Sequence, residues 1–276
     1  MNLVVQGAVL APQALAEVAA LAGATHTLAL GASAWRLAGV VQTARIEQWC
    51  AERRADFAWV PDERRLANVR LLAMDMDSTL VTIESIDEMG DLLGIRERIA
   101  AVTAQAMRGE IDYAEALRRR VALLAGLEEQ SLERICEERM HLSPGAETLL
   151  RRCRSEGIRT LLVSGGFSFF TTWLQQRLSI DAVFSNVLEI DRGRLTGRVE
   201  GGIVDGAAKA ARLRAEMAQL GIVPEQTVAI GDGANDIPML ATAGVSVAYR
   251  AKPIVREHAT HALDYSGLDG VLNLFA

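Results

Sequence analysis

The sequence has few cysteines, almost no lysine, and no apolar run long enough to cross a bilayer. Each shortage excludes something. Cys50, Cys136 and Cys153 lie far apart in a chain of 276 residues, so they make neither a disulfide framework nor a metal-ligand spacing, and they suit reduced thiols in a cytosolic compartment. No Lys or Arg precedes Arg36, and Glu17 interrupts the alanine-rich start. The basic head of a secretion signal is therefore missing, and a cytoplasmic location with no membrane partner is expected. A net charge of −6, with the basic residues spread along the chain, excludes the footprint of a nucleic-acid binder. No internal repeat or low-complexity tract occurs. His26, His141, His258 and His261 match no catalytic motif. The last two are spaced as a helical metal pair would be but have no third ligand near them.

The shortage of lysine is also a clue. Of 29 basic residues only Lys209 and Lys252 are lysine. In a chain that otherwise uses arginine, a retained lysine asks whether a compact ammonium is needed there.

What is present is organised around Leu71-Leu72-Ala73-Met74-Asp75-Met76-Asp77-Ser78-Thr79-Leu80. A short apolar run of this kind is a strand buried on both faces, as in a parallel sheet. It ends in two carboxylates one residue apart, and residues i and i+2 of an extended chain point the same way. Two further apolar runs end in polar, glycine-rich turns: Ile158 to Val163 before Ser164-Gly165-Gly166, and Thr227 to Ile230 before Gly231-Asp232-Gly233-Ala234-Asn235-Asp236. Strands alternating with helices imply a doubly wound parallel sheet, which places ligands at the carboxyl ends of its strands. If these three ends are neighbours, four carboxylates converge and call for a cation. Oxygen donors suit Mg²⁺, which keeps waters and binds substrate phosphate. A carboxylate can also attack phosphorus, and a second one can move the proton.

The remaining segments are read from composition and spacing. Residues 1–65 follow the order β-α-β-β-α-β of a small ferredoxin-like module, with Asp62-Glu63-Arg64-Arg65 as linker and Trp35, Trp49 and Trp59 as core. Residues 84–139 are helical throughout, divided by glycines at 90, 94, 109 and 126, and a lid over the acidic strand end would start there. A separate short strand at Ala182 to Phe184 and a hairpin over Val187 to Val199 are expected before a helix that begins near Lys209.

These motifs resemble, in order and on the expected elements, those of the haloacid dehalogenase superfamily of phosphotransferases. Asp75 to Val81 is similar to the nucleophile motif, Val163 to Phe167 to the second, Lys209 to the third, and Gly231 to Asp236 to the fourth. With Glu84 seven residues after Asp77, and Leu117-Arg118-Arg119-Arg120-Val121, the wording is similar to the branch that acts on O-phosphoserine. The resemblance implies an α/β, Rossmann-like core with a helical cap inserted after the first core strand and a ferredoxin- or ACT-like module in front. The boundaries would be 1–65 for that module and 66–276 for the phosphatase, with core 66–82 and 142–276 and cap about 83–141. It implies hydrolysis of O-phosphoserine through an aspartyl-phosphate, with one Mg²⁺, as the last step of serine biosynthesis.

The roles it implies are specific. Asp75 is the nucleophile and a metal ligand. Asp77 is the general acid and base, binding metal through its backbone carbonyl, and Asp232 is a further metal carboxylate. Asp236 supports the metal shell or orients Lys209. Ser164, Gly165, Lys209 and Asn235 serve the phosphoryl group. In the cap, Glu84 meets the substrate ammonium and Arg120 its carboxylate, a pairing suited to bidentate arginine. Met107 and Tyr113 resemble pocket-lining positions, with a plain cap-core role equally open. For the front module three roles stay open: an amino-acid effector site, a homodimer contact, or packing alone. Competing expectations are a related activity on phosphothreonine or phosphohomoserine, and a catalytically idle amino-acid sensor.

Overall fold

The computed structural model describes residues 1–275 and contains two sheets. The first is antiparallel, built from β1 (Asn2–Gln6), β2 (His26–Gly31), β3 (Ala34–Ala38) and β4 (Asp56–Val60) in the order β2-β3-β1-β4. Helices α1 (Pro12–Ala22) and α2 (Ala44–Arg53) cover one face. Pro12 opens α1, where its missing N–H costs nothing, and left-handed Gly23 closes it. The Thr43 side chain caps α2. This is the ferredoxin-like order expected. Leu3, Val5, Trp35 and Leu37 point to the helices, whereas Val4, Ala58 and Val60 point the other way, into the core of the rest of the chain. Strands β1, β3 and much of β4 are thus covered on both faces, whereas the edge strand β2 is exposed.

The second sheet has seven strands: β5 (Leu71–Met74), β6 (Arg159–Phe167), β7 (Ala182–Asp191), β8 (Arg194–Glu200), β9 (Thr227–Gly231), β10 (Val245–Tyr249) and β11 (His261–Leu263). Their order is β11-β10-β9-β5-β6-β7-β8, parallel except for β8. The chain leaves β5 toward β6 and β7, then crosses back to β9 on its other side. The C-terminal end of β5 is therefore the switch point, where such sheets form a crevice. All four residues of β5 are buried, which explains their unbroken apolar character.

Helices α3 (Ser85–Leu92), α4 (Arg96–Met107), α5 (Tyr113–Ala122) and α6 (Glu129–Glu138) form the insertion after β5. Its entering and leaving stems lie side by side: Thr82 N–H donates to His141 O at 2.9 Å and Ser143 N–H to Leu80 O at 2.9 Å. The core resumes with α7 (Ala146–Ser155) and α8 (Ser168–Leu178). It continues with α9 (Gly206–Leu220), α10 (Ile237–Leu240) and α11 (Pro253–Arg256).

One expectation is corrected. The short strand at Ala182 and the first arm of the hairpin are a single ten-residue strand, β7. Its first half pairs in parallel with β6 and its second half antiparallel with β8. The hairpin also has a task not foreseen, because β8 braces the cap. Gly126 N–H donates to Leu195 O at 2.8 Å, Leu195 N–H to Leu127 O at 2.9 Å, and Arg194 meets Glu128 at 2.5 Å.

The front sheet is tied to the end of the chain. The buried Asp56 carboxylate accepts the backbone N–H groups of Asp264, Tyr265 and Ser266 at 2.7–3.2 Å. Arg36 donates to Asn273 O and Phe275 O at 3.0 and 2.5 Å. In the linker, the Arg64 guanidinium donates to His261 Nε2 on β11 at 2.5 Å. Such a contact needs a neutral imidazole. Burial, and then the Arg64 charge, push the His261 pKa down to about 4. His261 and His258 are thus not a metal pair; the Nδ1 of His258 lies 2.9 Å from Ile254 O.

An imidazole held neutral when folded contributes stability that is full above its unfolded pKa of about 6.5 and is lost as pH falls through the window down to about 4. Between pH ~7.5 and ~5 the native protein should lose roughly 2 kcal/mol more than His261→Gln. Urea midpoints at the two pH values measure this, and equal losses would show that His261 does not titrate with unfolding.

Candidate active site

Asp75 is the first residue beyond β5, and its backbone is still extended and hydrogen-bonded to Ile230 O. The chain then turns tightly over Met76–Leu80, with Ser78 left-handed at φ 56. That turn brings Asp77 back under the cap. Its Oδ1 accepts Ser85 N–H at 3.0 Å and its Oδ2 accepts Ser85 Oγ–H at 3.0 Å. Asp77 is therefore docked on the N-terminus of α3, where backbone N–H groups are free. Glu84, the residue before α3, accepts Ser78 Oγ–H at 2.7 Å.

Lys209, fully buried on α9, stands 2.6 Å from Asp75 Oδ1 and 2.7 Å from Asp236 Oδ1. The other oxygen of Asp236 accepts the backbone N–H groups of Asp232 and Gly233 at 3.1 and 3.0 Å. Asp236 is thus fully engaged, and it orients Lys209 and shapes the turn after β9. Asp232 gives one oxygen to Thr79 Oγ1–H at 3.0 Å, which leaves its second oxygen available.

Ser164, Gly165 and Gly166 form the last part of β6, beyond the point where β5 turns away. Ser164 Oγ accepts Gly166 N–H at 2.8 Å. A Cβ at Gly166 would come within 2.8 Å of Asp77 Oδ2, and one at Gly165 would meet the Tyr113 hydroxyl. Glycine here is a matter of close approach. Asn186 on β7 holds this segment from behind. Its Nδ2–H₂ donates to Gly165 O and Gly166 O at 2.8 and 3.3 Å, and its Oδ1 accepts Val204 N–H at 2.8 Å.

The electrostatics follow from crowding. Burial first, then repulsion from Asp236, raises the Asp75 pKa well above the carboxylate range, with Lys209 opposing. Burial and Glu84 push Asp77 up to about 7. Burial, Asp236 and Glu84 do the same to Asp232. Burial alone would lower the Lys209 pKa, but Asp236 and Asp75 outweigh it and raise it. One ammonium does not neutralise four carboxylates, so the site favours a further cation. One oxygen each of Asp75, Asp232 and Asp236 lies within 4.8 Å of the others. These hard donors fit an oxygen-preferring metal ion; Asp75 and Asp232 keep oxygens that could bind it, whereas Asp236 is committed to Lys209 and the turn.

Around these groups lies a cavity of about 740 Å³ between core and cap. Every residue that the sequence singled out for the site lines it or, like Lys209 and Asp236, forms its floor. From the cap come Glu84, Met107, Tyr113 and Arg120; from the core Asp75, Asp77, Ser164, Gly165, Asp232 and Asn235. Of the arginine triplet, Arg118 and Arg119 are exposed, the latter paired to Glu115, and only Arg120 reaches the cavity. Burial pushes the Tyr113 phenol up to about 12, so it stays protonated. Sequence reasoning missed Ser85, which meets Asp77 only because the chain turns back on itself, and Thr79 and Asn186, whose partners are remote or belong to the backbone. It also left Lys252, on the cavity rim, without a role.

Acids, an ammonium and a glycine-rich strand end under a helical cap define an α/β enzyme of phosphoryl chemistry. The chain belongs to the haloacid dehalogenase-like hydrolases, whose pattern matches residues 72–241. A phosphoserine phosphatase of Albidiferax ferrireducens is 51% identical over 216 residues, spanning 76% of this chain and 91% of that one. Two solved structures resemble nearly the whole chain. A haloacid dehalogenase family hydrolase from Salmonella enterica serovar Typhi has a TM-score of 0.89 at 32% identity, over 99% of this chain and 97% of that one. A probable phosphoserine phosphatase from Vibrio cholerae, in unliganded form, has a TM-score of 0.87 at 35% identity, over 99% and 85%. The front sheet is therefore part of the shared architecture.

Asn186→Ala would remove three buried hydrogen bonds, each contributing about 1 kcal/mol net. The expected cost is roughly 2–3 kcal/mol in a denaturant titration, with a fall in kcat because the Ser164–Gly166 segment loses its support. An unchanged kcat would show that the segment keeps its shape unaided.

Proposed function

We propose that this hydrolase releases serine and inorganic phosphate from O-phosphoserine, with Mg²⁺, through a phosphorylated Asp75. The observation that carries this reading is the pairing of two half-sites in one cavity. An acidic floor around Lys209 suits a phosphoryl group, and the cap opposite supplies one acid, Glu84, and one guanidinium, Arg120. An amino-acid phosphate has one cation and two anionic groups, which matches that set. The relative named a phosphoserine phosphatase, 51% identical, supports the substrate.

In this reading residues 1–65 are a packed front module, 66–82 with 142–276 the core, and about 83–141 the cap. Asp75, Asp232 and the Asp77 backbone carbonyl would hold Mg²⁺, with Asp236 supporting them. The ion would offset the carboxylate charge and the charge on the phosphoryl oxygens.

The protein's own groups do the rest. Asp75 attacks phosphorus as the bond from phosphorus to the serine oxygen breaks. Asp77, whose pKa burial and Glu84 raise to about 7 so that it can both give and take a proton near neutral pH, gives its proton to the leaving oxygen. Asp77 then takes a proton from water as that water attacks phosphorus and the bond to Asp75 breaks, freeing phosphate. Ser164, the Gly165 backbone, Asn235 and Lys209 hold the phosphoryl group. Glu84 and Arg120 orient the amino acid, and Tyr113 and Met107 complete the wall around it.

The test is phosphate release from a panel of phosphorylated amino acids and p-nitrophenyl phosphate, with and without Mg²⁺. L-phosphoserine should be the best substrate and chelation should abolish turnover; a preference for phosphothreonine or for p-nitrophenyl phosphate overturns the assignment. Asp75→Asn should reduce kcat by more than a thousandfold, roughly the loss expected when a covalent nucleophile is removed. Arg120→Ala should lower kcat/KM for phosphoserine by about 10- to 100-fold, the worth of a charge-assisted bidentate contact. It should leave p-nitrophenyl phosphate nearly unaffected, and equal losses on both would assign Arg120 to the fold or the chemistry instead.

A further inference from the structure

We propose that Lys252 is the entry cation of the catalytic cavity, drawing the phosphate dianion into its acid-lined space. The inference rests on the reading of the site as one for phosphate monoesters. It starts from composition. The chain has two lysines, 43 residues apart in sequence, and both belong to one site: Lys209 in its floor and Lys252 on its rim.

Topology explains how Lys252 gets there. It follows β10, the parallel neighbour of β9, so its loop opens at the same sheet edge as Asp75 and Asp232. The loop is anchored there. Lys252 N–H donates to Asp232 O at 3.3 Å, Val255 N–H donates to Lys252 O at 2.9 Å, and Pro253 fixes the start of α11. The backbone of Lys252 is thus held against the residue that carries a metal-facing carboxylate, while its side chain is exposed.

The charges around the cavity say what such a side chain would do. Lys209 is committed to Asp75 and Asp236. Among the described residues that line the cavity, only Arg120 and Lys252 carry positive charge, and neither has a carboxylate within ion-pair distance. Facing them in the lining are six acids: Asp75, Asp77, Glu84, Asp87, Asp205 and Asp232. A phosphate dianion approaching such a lining is repelled. Arg120 lines the cavity from the cap, as Glu84 does, suited to the amino-acid end of the substrate. Lys252 is on the core side, next to the phosphate half-site, and has no other partner. An ammonium on a flexible stem acts as a mobile point charge. Its attraction acts across solvent, raising the local concentration of the anion, and is screened by salt.

The experiment uses the full-length, Mg²⁺-loaded protein and inorganic phosphate as probe. Calorimetric titration of wild type, Lys252→Gln and Lys252→Arg is run at about 0.01 M and about 1 M salt, where the screening length is roughly 30 and 3 Å. At low salt Lys252→Gln should bind phosphate about three- to tenfold more weakly, and the gap should close at high salt. Lys252→Arg should keep most of the affinity. With phosphoserine the loss should fall on kcat/KM more than on kcat. Wild-type affinity and salt response in Lys252→Gln would overturn the proposal, as would a deficit that persists at high salt. A wild type that binds phosphate but releases none from phosphoserine would sink the substrate assignment while the lysine's role still stands or falls on the titration. A wild type that binds no phosphate overturns both.

Discussion

A single buried ammonium holds this site together. Lys209 has no exposure to water and touches Asp75 on one side and Asp236 on the other. Taking an ion out of water costs several kcal/mol, and the attraction of partners returns that only when geometry and further hydrogen bonds are good. Here they are good on one side: Asp236 also accepts two backbone N–H groups of the turn after β9. On the other side Asp75 has Lys209 and a surplus of carboxylate neighbours. The arrangement is therefore poor as a device for stability and good as a device for position. It pins α9, the end of β5 and the turn after β9 to one point, and it leaves net negative charge that a metal ion can neutralise. A guanidinium would need more donors satisfied in the same closed space, which accounts for lysine in a chain made almost entirely with arginine.

The cap is coupled to this point through the chain itself. Asp77 lies in the turn that leaves β5, but its two oxygens are bonded to Ser85, the first residue of α3. The position of the acid is thus set by the cap as much as by the core. The cap is in turn held at both ends, by the paired stems at Leu80 to Ser143 and by β8 against the loop before α6. The ten-residue β7 serves both parts: it carries Asn186 behind Gly165 and Gly166 and, further along, the hairpin under the cap.

What was legible in the sequence was what is local. Apolar runs that stop at Asp75, Ser164 and Asp232 predict buried parallel strands with polar ends, and the strand order β9-β5-β6 makes those ends neighbours. The helical insertion and the β-α-β-β-α-β front module are equally local patterns. What was not legible depends on partners far along the chain. Asn186 is an ordinary residue until Gly165, Gly166 and Val204 supply its bonds. Phe184 and Val187 flank a change from parallel to antiparallel pairing, so a single strand reads as two. The rarity of lysine is visible in composition, but only the register of β10 on β9 shows that both lysines serve one cavity.

The front sheet shows the same limit at larger scale. Its pattern predicts a ferredoxin-like order but leaves open what the module meets; one face is covered by its own helices and the other shares its core with the hydrolase. The reason lies in three polar residues that no motif marks. Asp56, Gln6 and Arg36 would each be costly to bury without partners. All three find them in the backbone or side chains of the last residues, Asp56 on three successive N–H groups, Gln6 on Gly270 and Asn273, and Arg36 on Asn273 and Phe275. Polar groups satisfied only at the junction make separation expensive, since parting the two sheets would strand them together with Val4, Ala58 and Val60. The front sheet is therefore a lateral extension of the catalytic core, covering the short edge strand β11 that would otherwise stand open to pairing.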